Sequence, residues 1–173
     1  MGFTHYWETK PTVSKKKWGN FTEALKILLK DVDIVQKEYD TREKPVINTK
    51  EVRFNGIGED GHETFYIKRI DKPATWASDK SVVFGFTKTA RKPYDKYVTA
   101  SLLLAQMYLQ DEIKISSDGD VEDWQEGREL VNSTVGKVCN FKIEVKENPE
   151  AEYPTSISTA LISWAILDEV VNA

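Results

Sequence analysis

The stretch from Pro93 to Gln110, PYDKYVTASLLLAQMYLQ, constrains the fold more than any other part of the chain. Its spacing predicts a helix that is apolar around most of its circumference, and such a helix is stable only when other elements cover it on several sides. The remaining sequence must therefore supply the layers around it. A length of 173 residues suffices for one such domain with a sizeable core and would be cramped for two, so residues 1–173 are expected to form a single domain.

The flanking segments read as short elements of both kinds. Phe3 to Glu8 is aromatic and β-prone, and predicts a first strand. Ser14 can cap a helix in which Trp18, Phe21, Leu25, Leu28, Leu29, Val32 and Val35 recur at helical spacing, giving one long amphipathic helix to about Tyr39. Asp40 to Pro45 breaks it, and Val46 to Asn48 reads as a short strand. Glu51 to Asn55 and Glu63 to Arg69 flank a glycine-rich loop and predict a hairpin. After an irregular connection, Asp71 to Lys80, a buried strand is expected over Val82 to Thr87, then the central helix with Pro93 at its first position.

Ile113 to Ser116 predicts another strand, Val121 to Val135 a helix and Phe141 to Val145 a strand. A polar break, Glu147 to Pro154, precedes a final apolar helix from Ser156 to Val171. About six short strands in a mixed sheet, packed by about four helices, make an α+β or α/β single layered domain.

Between the expected buried strand and the central helix lies the polar segment KTARKPYD, residues 88–95. Lys88, Arg91 and Lys92 are cationic, Thr89 and Tyr94 carry hydroxyls, and the helix start offers free backbone N–H groups. Arginine suits bidentate binding of phosphate or carboxylate. Apolar runs on both sides hold the segment at the rim of the core. An anion site is thus expected there, with Lys88 and Arg91 neutralising charge, Thr89 donating, and Tyr6, Trp7 or Tyr94 offering an aromatic face.

Other motifs carry less. Gly56, Gly58 and Gly61 spell G-x-G-x-x-G, but a β-like run follows them and Glu59 and Asp60 stand where a pyrophosphate would approach, so the loop reads as a hairpin turn. Asp118, Asp120, Glu122, Glu126 and Glu129 match the acidic places of a calcium loop, yet Asp123 occupies the place that needs glycine. An Asp-Gly turn entering a helix is the better reading. His5 and His62 with Glu63 have no spacing that enforces a metal site, and no metal or cofactor is expected. Lone Cys139 reads as an inert thiol in a reducing compartment.

A net charge of −4 gives no basic field for duplex nucleic acid, which is not expected as the main partner. The opening residues lack the apolar region of a signal peptide, and no run is long and apolar enough for a membrane helix, so a cytoplasmic location without membrane contact is expected. The glycosylation patterns at Asn20 and Asn132 are then chance matches.

Gly2-Phe3-Thr4-His5-Tyr6-Trp7 resembles the G-Y-T-H-Y-W start of an uncharacterised family encoded in bacteriophage and prophage genomes. The likeness continues through Arg53-Phe54-Asn55-Gly56, Glu63-Thr64-Phe65, Lys88 to Asp95, Ser116 to Asp120 and Asp123-Trp124, covering residues 2–135, with Phe3 in place of the usual tyrosine. It implies no activity. It does group His5, Asn55, Glu63, Lys88, Arg91, Tyr94, Asp118 and Asp123 as motif residues, leaves 136–173 as a C-terminal addition of strand plus helix, and implies a host-directed or counter-defence role.

The expectation is a small binding protein that captures an anionic, nucleotide-like ligand, with Asn55 among its contacts. The alternatives are a hydrolase of phosphoester or glycosidic bonds, with His5, Glu63, Asp118 or Asp123 as base or metal ligand, and a protein-protein inhibitor docking on a host protein through its helices.

Overall fold

The structure, a computed structural model, describes residues 3–135, 141–146 and 159–164, with side chains for 3–134. Twelve elements follow along the chain: β1 (Thr4–Thr9), α1 (Lys15–Leu28), β2 (Val35–Gln36), β3 (Val46–Ile47), β4 (Glu51–Gly56), β5 (Phe65–Lys68), β6 (Val83–Lys88), α2 (Asp95–Leu109), β7 (Ile113–Ser117), α3 (Gln125–Val135), β8 (Phe141–Lys146) and β9 (Thr159–Trp164). The larger sheet has the order β6-β1-β7-β9-β8, and in the smaller one β4 pairs with β2, β3 and β5. All of these pairings are antiparallel. The chain is α+β.

The apolar helix is central, as its composition requires. Val98, Leu102, Leu103, Leu104, Ala105 and Leu109 of α2 are fully buried, each large side chain contributing about 1.5–3 kcal/mol through burial. α1 and α3 both pack on α2. The approach of α3 depends on Gly127, where a Cβ would stand 2.3 Å from Thr99 Oγ1 and 2.8 Å from the Ala100 backbone nitrogen.

In β1 the two-residue alternation of a strand separates His5, Trp7 and Thr9, all buried, from Tyr6 and Glu8 on the opposite face. Trp7 lies 5.2 Å from the Phe65 ring, and its indole fills the space above Gly85 of the neighbouring strand, where a Cβ would meet Trp7 Nε1 at 2.3 Å.

Four expectations are corrected. The first helix stops at Leu28 rather than near Tyr39, and Val35 and Gln36 instead pair with Gly56 and Asn55. Asp31 and Asp33, poor helix formers, alternate there with β-branched Val32 and Ile34, so the segment serves a sheet better than a helix. The strand before the central helix is an edge strand, with Phe84 and Phe86 50% and 54% exposed, and is not buried.

The central helix begins at Asp95 with Tyr94 as its cap, so Pro93 precedes it. Two consecutive turns, Thr89 to Lys92 and Lys92 to Asp95, fill the gap. Finally, Thr159–Trp164, expected within a last helix, is a strand paired along its whole length with Phe141–Lys146 and joined to β7 through Ser116 and Ser117. The rest of that expected helix, the polar break and Cys139 lie outside the described residues.

Candidate functional site

The start of β1, the end of β6, the entry to α2 and the end of β7 meet at one rim. The Phe3 carbonyl accepts from the Thr89 and Ala90 N–H groups at 2.9 and 3.2 Å, and the Thr4 carbonyl from the Asp118 N–H at 3.0 Å. Thr4 N–H returns a bond to Asp118 Oδ2 at 3.0 Å. Ala90 and Arg91 both have left-handed backbone, φ 51° and 54°. That conformation costs about 1–2 kcal/mol per non-glycine residue, and the Phe3 carbonyl helps to hold the turn in place.

Under this turn lies a closed chain of polar groups. His5, fully buried, has Nε2 2.8 Å from Asp95 Oδ1 and Nδ1 2.8 Å from Ser117 Oγ. Thr89 Oγ1 also donates to Asp95 Oδ1, and Gly119 N–H donates to Ser117 Oγ at 3.0 Å. A carboxylate only accepts, so the assignment that satisfies every group has Nε2–H donating to Asp95 and the Ser117 hydroxyl donating to Nδ1. Phe3 and Trp124 pack edge-on against the imidazole at 5.0 and 5.1 Å.

Serine, histidine and aspartate at these distances have the connectivity of a nucleophilic triad. Here, however, His5 and Ser117 have no exposed surface, and the hydroxyl already bonds on both sides, so the group ties β1, β7 and α2 together.

Arg91, expected as the principal anion ligand, is already paired. Its Nε and Nη2 donate to Asp123 Oδ1 and Oδ2 at 3.1 and 3.2 Å, and its guanidinium lies 3.9 Å over the Phe3 ring. Burial alone would push the Asp123 carboxyl up, but hydrogen bonds from Arg91 and from the Asp120 N–H, with the Arg91 charge, hold it below the usual carboxylate range. A depressed acid stabilises the fold above its unfolded value, near 3.8, and loses that contribution as pH falls through the folded value. The pair is part-exposed, so Asp123→Asn should cost about 0.5–1 kcal/mol near neutrality. The gap to wild type should close below about pH 4, as read by urea melts across pH.

The remaining expected residues divide by burial. Trp7 and Tyr94 are core residues, 4% and 0% exposed, and offer no ligand face. Burial, followed by the charges of Asp95 and Glu63, pushes the Tyr94 phenol far above its usual value, and its hydroxyl donates to the Glu63 carbonyl at 2.6 Å. Thr89 is fully buried. Asn55, also fully buried, closes the β4–β5 loop: Nδ2 donates to the His62 carbonyl and Thr64 Oγ1, while Oδ1 accepts from the Gly56 and His62 N–H groups. Glu63 caps the edge of β6, its carboxylate accepting from the Lys88 N–H at 2.8 Å. Asp118 accepts from the Tyr6 hydroxyl at 3.2 Å. Most of the grouped motif residues thus converge, and they do so as a lock.

What stays open is the sheet face on the other side. Cross-strand register places Lys88 beside Thr4, Phe86 beside Tyr6, and Phe84 beside Glu8 on β6 and β1, with Ser116 and Lys114 of β7 beside Tyr6 and Glu8. Directly opposed residues share a face. The Tyr6 and Phe84 rings stack at 6.1 Å and 26°, and Phe84 and Phe86 lie 6.2 Å apart. A groove of about 120 Å³ runs between Tyr6, Phe84, Glu8 and Lys114. Among the described residues neither Lys88 nor Lys114 forms an ion pair.

Phe84, Phe86 and Lys114 were not expected here. The signal was the F-G-F spacing, two aromatics on one face of a strand with glycine between them on the other.

A wider cleft of about 530 Å³, lined by Tyr39, Glu59, His62, Glu63 and Lys92, mixes both charge signs and has no aromatic stack. Among the described residues no three His, Cys, Asp or Glu side chains gather as a metal site, and no helix is long and apolar enough to cross a membrane. No family model, curated protein or solved structure matches the chain.

Proposed function

We propose that the chain is a binding protein for an anionic, nucleotide-like ligand, held on the open face of the larger sheet. The observation that carries this reading is the row of Tyr6, Phe84 and Phe86, with the two phenylalanines half exposed and beside them Lys88, which has no ion-pair partner among the described residues. Exposed aromatic rings on a sheet offer flat faces to a planar base. The adjacent ammonium supplies the complement to a phosphate, with its flexible stem free to reach. Tyr6 is held by its hydroxyl bond to Asp118, so that ring is ordered before any ligand arrives.

The Lys88 side of the expected site is therefore kept, while Arg91 is assigned to the fold and the aromatic wall passes from Trp7 and Tyr94 to the phenylalanines. Of the residues named for the hydrolase alternative, His5 is sealed in the core, and Glu63, Asp118 and Asp123 already accept hydrogen bonds from the Lys88 N–H, the Tyr6 hydroxyl and Arg91, which favours the binding reading.

Isothermal titration with a panel of nucleoside mono- and triphosphates tests the reading. Phe84→Ala and Phe86→Ala should each weaken binding about fivefold to hundredfold, the range for one lost base stack. Arg91→Ala should leave affinity within about twofold of wild type once stability is matched. Binding unchanged in Phe84→Ala, Phe86→Ala and Lys88→Ala alike would remove this face as the site.

A further inference from the structure

Resting on that reading, we infer that the face takes a single-stranded nucleic acid spanning at least two nucleotides, rather than an isolated mononucleotide. The reason is where two lysines stand that form no ion pair among the described residues. Lys88 lies opposite Thr4 and Lys114 opposite Glu8, so they flank the aromatic row at opposite ends, on strands either side of β1. Thr4 and Glu8 are four residues apart on β1. At about 3.4 Å per residue along a strand and about 4.8 Å between strands, the two lysine positions are roughly 17 Å apart on the diagonal.

Tyr6 is the midpoint of that diagonal, with Phe84 and Phe86 beside it. A mononucleotide carries its charge at one end and its base at the other, so it engages one lysine and leaves the second idle. A strand laid across the diagonal puts one phosphate near each lysine and the intervening bases on the rings.

The charge count also limits the mode. Glu8 and Asp118 share the face and Asp79 feels the Lys114 charge, so the face is not basic and the affinity comes from stacking, with only two phosphate contacts. Single strands lose about 0.7 in log K per log salt for each neutralised phosphate, which gives a slope of about −1.4 here. Duplex is disfavoured because its bases are stacked inside and cannot reach the rings.

Fluorescence anisotropy with a labelled six-nucleotide oligothymidylate, competed by thymidine monophosphate and by a six-base-pair duplex, tests this on the full chain. The oligomer should bind at least tenfold tighter than the monophosphate and than the duplex. Its salt slope should be about −1.4, and Lys88→Ala and Lys114→Ala should each remove about 0.7 from it. Lys114 is exposed and Lys88 half-buried, and Lys15→Ala at an exposed position on α1 serves as the control that changes neither value.

Oligomer and monophosphate binding equally, or a slope insensitive to Lys114→Ala, would overturn the inference while leaving the nucleotide reading intact. Binding by neither would remove both.

Discussion

Replacing His5 by alanine should lower the unfolding free energy by about 3–5 kcal/mol, more than most single changes in a domain of this size. The ring is walled by Phe3 and Trp124, both buried, so its removal leaves a cavity rather than a surface notch. Two polar costs add to the lost packing. Asp95 Oδ1 keeps Thr89 as a donor but loses its nitrogen partner, and the Ser117 hydroxyl loses its acceptor inside the core. Ser117→Ala isolates part of the second cost and should remove only about 1–2 kcal/mol, since the ring and its packing remain. Urea melts of both variants give the comparison. A His5→Ala loss below about 1.5 kcal/mol would mean that the interlock contributes little, and the buried triad-like group would again need a functional explanation.

Gly127→Val should be nearly as damaging, for the opposite reason. Its first added carbon would overlap Thr99 Oγ1 at 2.3 Å and the Ala100 backbone nitrogen at 2.8 Å. The hydroxyl can rotate away, but the backbone of a central helix cannot, so α3 must move off α2. Overpacking of this kind costs about 2–3 kcal/mol, which lowers Tm by roughly 4–12 °C in a chain of this length. Gly19 on α1 is the matched control: nothing lies within 4 Å of a Cβ there. Gly19→Ala should therefore gain up to about 1 kcal/mol from helix propensity, and opposite signs for the two glycines in a thermal melt would locate the effect in the α2–α3 contact.

How much of this could be read from residue order depended on whether a segment's partners are local. The α2 helix was legible because its own apolar content forces it inward whatever surrounds it. The hairpin around Gly56 and Gly61 was legible because turn chemistry is local. Val35 and Gln36 were not, since Val35 also continues the helical spacing of α1, and only the edge of β4, about twenty residues later, draws the segment into a sheet. Thr159–Trp164 has an apolar run that fits a buried helix or a buried strand equally, and its pairing with β8 decides.

The rim behaved in the same way. KTARKPYD was found from its composition, but the fate of each charge was set from afar: Arg91 by Asp123, Asp95 by His5, and Lys88 by the alternation that turns it outward with Phe86 and Phe84. A cation in a sequence advertises a site only until its counter-ion is known.

The same distances bear on how the chain reaches its fold. β1 precedes both of its sheet neighbours along the chain by a long way, since these are Val83–Lys88 and Ile113–Ser117, and its histidine closes onto Asp95 and Ser117. At about 5–20 residues per second, roughly 6–23 s of translation separate Thr4 from Ser117. Until Lys88 is made, an aromatic, β-prone segment waits without either neighbour, and until Ser117 is made it lacks one of them, the kind of strand most open to wrong pairing. The strand that locks the finished protein is therefore also the one most exposed while it is being made.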